Sequence, residues 1–182
     1  MIDRKIMASI VLVTAIVGVT GLSLLLGGSA FPQVPPPNEL PAGEIPPTEI
    51  GDVVLFAEAE YWQDFMPSNN PNHPFYVRIL VNITNNGDST IDYLSALRTT
   101  IYFNGTFNAL VTLNLTQAYL TFVPITVRPG ESVVIEYIND DATIFSPSIT
   151  EGTVLYSRVL FVWGAGNEAI LTTSPNELNF TF

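Results

Sequence analysis

Four asparagines stand two places before a threonine: Asn82-Ile-Thr, Asn104-Gly-Thr, Asn114-Leu-Thr and Asn179-Phe-Thr. In this pattern the asparagine amide nitrogen accepts an N-linked glycan, which implies an exported chain and a solvent-facing side chain. A chain rich in Asn and Thr makes some matches by chance. The useful test is whether the strand pattern points each asparagine away from the core.

Few other residues have the types and spacing for chemistry. The single histidine, His73, lies in the loop "MPSNNPNHPF", where a histidine is ordinarily just solvated. Glu58 and Glu60 share one face of an alternating segment, as carboxylates on half-solvated strands often do, so they do not define an acid–base pair. "NDD" at 139–141 could offer oxygen ligands to a hard cation, but it lacks the spacing of a calcium loop and reads as a turn after a strand. The chain has no cysteine, hence neither a disulfide framework nor a thiolate metal site. No nucleophile elbow, phosphate loop or zinc signature is present. The expectation is a non-enzymatic protein with no catalytic residue, no cofactor and no metal site.

Composition narrows the partners. Net charge is −11, and beyond Lys5 the only basic residues are Arg78, Arg98, Arg128 and Arg158. Phosphate backbones are gripped by clustered Lys and Arg, so no nucleic-acid role is expected. Low charge density and the lack of cysteine suit a prokaryotic or archaeal surface protein, in an acidic or hot setting. A halophile's chain would carry more carboxylates.

The elements that must position the asparagines begin with the N-terminal segment. Residues 6–26, "IMASIVLVTAIVGVTGLSLLL", carry no charge. At about 1.5 Å per residue a helix of that length covers roughly 30 Å, the thickness of a bilayer's hydrocarbon core. Arg4 and Lys5 precede it, and no Lys or Arg follows until Arg78, which places the N-terminus in the cytoplasm and the rest outside. A retained signal-anchor fits. So does a signal peptide cleaved near Ala30, because "GSA-F" at 28–31 offers small residues, although the apolar run exceeds the usual h-region of about 7–15 residues. A pilin-type leader is a third reading, but "DRKIMAS" lacks the small residue such a cut needs. Residues 1–30 are thus an anchor or signal peptide. Residues 31–51 hold seven prolines, which fix φ and remove amide donors. An extended polyproline linker is expected there, at about 3.1 Å per residue, serving as a spacer or a stalk.

From Asp52 to Phe182 the period becomes two. "VVLFAEAEYW" puts Val53, Leu55, Ala57, Ala59 and Tyr61 on one face, and "FYVRILVNIT" turns Val77, Ile79, Val81 and Ile83 inward. "NNGD" at 85–88, "FNGT" at 103–106 and "RPGE" at 128–131 punctuate the strands. Asn104-Gly105 predicts a two-residue type I′ hairpin. About eight or nine strands and no soluble helix predict an all-β antiparallel sandwich, with Trp163 and Tyr137 in or beside the core. Parity turns Asn82, Asn114 and Asn179 outward and leaves Asn104 at a hairpin tip, so all four should face solvent.

"VRILVNITNNGDSTI" followed by "VRPGESVVIEYI" resembles the immunoglobulin-like sandwiches of archaeal surface proteins. These include CARDB-like adhesion domains, water-stress (WHy) type domains, and the ectodomains of archaellum stator and archaellin-like proteins. The resemblance covers roughly residues 52–140 and implies an extracytoplasmic immunoglobulin-like domain. A long proline segment departs from the compact stator layout. The resulting expectation is a membrane-anchored, N-glycosylated cell-surface protein. It would be held in the bilayer by residues 6–26 and would make structural contacts with surface-layer or filament proteins, or with its own copies. The alternatives are a filament subunit, pilin-like or joined by donor-strand exchange, and a binding or accessory module of a membrane complex.

Overall fold

The computed structural model describes residues 34, 37–41, 43–65, 73–118, 125–139 and 145–181. The expected membrane segment at 6–26 and the residues Asp140 and Asp141 lie outside the described residues. Val34–Phe182 is one compact unit. The described residues form nine strands and no helix: β1 Thr48–Ile50, β2 Val53–Asp64, β3 Phe75–Asn85, β4 Leu94–Phe103, β5 Ala109–Gln117, β6 Ser132–Asn139, β7 Val154–Trp163, β8 Asn167–Thr172 and β9 Asn176–Thr181. The domain is therefore all-β. No helix among the described residues is long and apolar enough to cross a membrane.

The strands order as β1-β2-β3-β6-β5-β4-β7-β8, with β9 bonded to both β2 and β7. Two strands belong to both layers. The first part of β5 pairs with β4 (Arg98↔Asn114), and its last residues pair with β6 (Thr116↔Ile138). The start of β9 pairs with β7, and the rest with β2. Such switching strands form the corners that join packed sheets. They close β2, β3, β6, β5, β4, β7 and β9 into a ring with β8 bonded on one side only.

Alternation drives this arrangement. Along β3 every second residue from Phe75 to Ile83 is buried, and each such side chain contributes about 1.5–3 kcal/mol when removed from water. These residues meet Leu155, Val159, Phe161 and Trp163 of β7 and Leu171 of β8 in one core. Tyr137 and Trp163 are buried there, as the sequence led us to expect. Tyr137 meets Phe161 edge-on, with ring centroids 6.4 Å apart.

Three expectations change. The sandwich is not purely antiparallel: β9 runs parallel to β2, from Tyr61↔Leu178 to Asp64↔Thr181. It is antiparallel to β7, and a strand inserted between two that run in opposite directions must be parallel to one of them. The linker is not free of strand. Thr48–Ile50 pairs with Val53–Leu55 through a two-residue turn in which Gly51 takes φ +59°, the first central position of a type II′ turn. The Asn104-Gly105 turn is not type I′, because only Gly105 has positive φ, +72°. A bulge at Ile101/Tyr102 makes Tyr102↔Ala109 the last pair, and the wider loop closes with Thr106 Oγ1 donating to the Phe103 carbonyl.

Candidate functional site

The sequon asparagines fall outside the core. Asn104, Asn114 and Asn179 are exposed. Asn114 lies on the outer face of β5, where its Oδ1 accepts from Arg98 Nε at 3.3 Å. Asn179 lies beside Trp62 in the β2–β9 register, on the outer face where Trp62 stacks on Tyr76 at 5.3 Å. Asn104 sits at the tip of the β4–β5 loop, its amide donating to the Val154 carbonyl.

Asn82 differs from the other three. It faces outward from β3, between Phe56 of β2 and Val134 of β6, yet it is only half-exposed and its Oδ1 is buried without a hydrogen-bond partner. The chain before β1 passes nearby. Glu44, Ile45, Pro46 and Pro47 stand over the outer face of β2 and β3, leaving an open groove of about 670 Å³ lined also by Val54, Phe56, Asn82 and Thr84. Ile45 N donates to Ser174 Oγ at 3.1 Å. Parity predicts the outward face of Asn82 but not this cover, which comes from residues distant in sequence.

Most of the described residues weighed for acid–base or cation chemistry make contacts within the fold. Asn139 is buried; its Oδ1 accepts from Val77 N at 2.8 Å and its Nδ2 donates to the Phe75 carbonyl. It ties the end of β6 to the start of β3. Glu60 pairs with Arg78, which also approaches Glu136 at 3.8 Å, while Glu58 is exposed. His73 stacks on Phe65 at 4.2 Å and its amide donates to Ser146 Oγ. Its Nδ1 and Gln63 Oε1 are buried without partners beside a smaller cavity of about 310 Å³. No three His, Cys, Asp or Glu side chains gather among the described residues.

One buried polar cluster lies between the layers. Tyr61 of β2 donates its hydroxyl to Ser157 Oγ of β7 at 2.9 Å, and Ser157 N donates to Thr173 Oγ1. Burial pushes the Tyr61 phenol up, and hydrogen bonds to Ser157 and Thr173 oppose that in part. Burial raises Tyr137 in the same way. Tyr156 is raised by burial and by Tyr102, against the pull of Arg158.

No protein-family model matches the chain, and no curated protein matches it. Among solved structures it is similar to the structural genomics target SoR45, with 14% identity over 70% of this chain and 86% of that one, TM-score 0.37. It is also similar to the putative ApaA protein from Bordetella pertussis, with 14% identity over 75% of this chain and 97% of that one, TM-score 0.35. Likeness of that degree assigns neither family nor function.

Proposed function

We propose that the chain is a membrane-anchored, N-glycosylated cell-surface protein whose immunoglobulin-like β-domain makes structural contacts with surface-layer or filament proteins, without enzymatic activity. Residues 6–26 hold it in the bilayer, with the β-domain outside. The observation that carries the reading is the placement of the sequons: three exposed asparagines and a fourth on an outer sheet face, none in the core. Sugars added there leave the fold intact. The contact surface is the edge of β8, which among the described residues is bonded only to β7, since an unpaired strand edge offers main-chain donors and acceptors to a partner.

The filament alternative by donor-strand exchange requires a sandwich with a missing strand. Here β9 comes from the same chain and fills the space between β2 and β7, which weighs against it. Intact mass spectrometry of the protein from its native membrane tests the proposal. The expected result is retention of residues 1–30 together with sugar mass on Asn104, Asn114 or Asn179. A mature chain starting at Phe31 with every sequon bare overturns it.

A further inference from the structure

We propose that the groove between Glu44–Pro47 and the outer face of β2–β3 is the seat of the glycan on Asn82, whose first sugars hold that segment against the sheet. This rests on the glycosylation reading above and adds a site and a role to it. Both recognition residues of the sequon, Asn82 and Thr84, line the groove. Its volume of about 670 Å³ falls within the roughly 300–1,000 Å³ of small-molecule sites, which is room for a short oligosaccharide. Its walls suit a sugar: Val54, Phe56, Pro46 and Pro47 offer apolar surface to the C–H face of a pyranose ring, and Glu44 offers a carboxylate to its hydroxyls.

The buried, unpartnered Asn82 Oδ1 marks the place. A shielded amide oxygen without a donor is unfavourable, and a rotation of the Asn82 side chain that turns it to the groove would let a sugar hydroxyl or acetamido N–H supply one. The segment is fastened at Ile45, whose N donates to Ser174 Oγ, and the sugars would add a second hold. Strand pairing with β2 ends at Thr48↔Leu55, and Pro46 and Pro47 have no amide hydrogens with which to extend it.

Attachment needs an activated sugar bearing a phosphate leaving group. The Asn82 Nδ2–C1 bond forms as C1–O breaks, the phosphate leaves with the electron pair, and Nδ2 loses a proton to a base of the transferase. One product is a glycosylated amide and the other a phosphate ester.

The test is hydrogen exchange on the full chain from its native host, together with glycopeptide mass spectrometry. Asn82 should be occupied. Asn82→Gln and Thr84→Ala, which remove the acceptor pattern in two ways, should each speed exchange of the Ile45, Thr48 and Ile50 amides at least tenfold. Thr84→Ser, which keeps the pattern, and Asn114→Gln, on the other layer, should leave these amides unchanged. Sugar on Asn104, Asn114 or Asn179 with Asn82 bare overturns this inference alone, as does an occupied Asn82 whose loss leaves the three amides unchanged. Four bare sequons overturn both this inference and the glycoprotein reading.

Discussion

Tyr61 is buried with its hydroxyl bonded to Ser157 across the two layers, so folding should become less favourable as the solution turns alkaline. Burial holds the folded phenol above its ordinary value. The unfolded chain therefore releases this proton first, and the unfolded state gains relative to the folded one. The contribution is fully present below the unfolded pKa of about 10 and is lost as pH rises above it. Between about pH 9 and about pH 11 the loss is about 1.4 kcal/mol for each phenol that stays protonated in the fold. Tyr137 is raised by the same cause, so the pair should cost about 2.8 kcal/mol over that range.

The perturbation is Tyr61→Phe, which keeps the ring in the core and removes only the hydroxyl. At neutral pH it should cost about 1 kcal/mol, the net worth of one hydrogen bond. Between about pH 9 and about pH 11 it should lose about 1.4 kcal/mol less stability than the wild-type chain, because the Tyr61 phenol no longer contributes while Tyr137 and Tyr156 still do. Urea unfolding of the protein at several pH values, followed by tryptophan fluorescence, gives both numbers. Ser157→Ala should cost a similar amount at neutral pH, since Tyr61 keeps its hydrogen bond to Thr173, and the double variant should cost less than the sum. An alkaline slope in Tyr61→Phe equal to that of the wild type would refute the reasoning.

Three further outcomes follow from the buried amides and the surface charges. Asn85 donates to the Ser89 and Val127 carbonyls and accepts from Gly87 N, so Asn85→Ala should lose about 2–4 kcal/mol in urea melts while exposed Asn86→Ala loses almost nothing. Asn139→Ala strands Val77 N and the Phe75 carbonyl and should cost a similar amount, about 2–4 kcal/mol; a loss seen only when calcium is present would restore the cation reading of 139–141. Glu60→Gln should cost less than about 1 kcal/mol in the same melts, because an ion pair this exposed is screened by water.

The period-two pattern of "FYVRILVNIT" gave the inward and outward rows of β3 in full, because one buried face leaves a strand no second register. It could not say which strands lie side by side. Parity fixes which way a side chain points, not what it meets, and β9 joined two layers without a local signal. β1 was hidden for a different reason. The prolines at 46 and 47 rule out strand where they stand, but the three residues after them pair freely, and Gly51-Asp52 was a legible two-residue turn. Asn85 and Asn139 read as turn residues because a buried amide that serves the main chain looks, in sequence, like one that serves water. The groove could not be read at all, since its two walls come from separate stretches brought together only by the fold.

The same geometry limits how this domain can meet a partner. Asn82 and Asn179 lie on the outer face of the β2–β3 layer, Asn114 lies on the outer face of the other, and Asn104 lies at one end. Sugars on these positions would keep another protein off both broad faces, and a face-to-face stack would have to displace them. The ring closure removes most strand edges: β1 is three residues long, and β9 is bonded on both sides. Among the described residues, free sides remain along β8, along residues 109–114 of β5 and along residues 132–135 of β6; β8 has six residues with one carboxylate, Glu168, and no proline or lysine to block an added strand. With sugars on its faces, the domain would be suited to lateral contact along such an edge, in which a partner's strand continues the β7–β8 sheet.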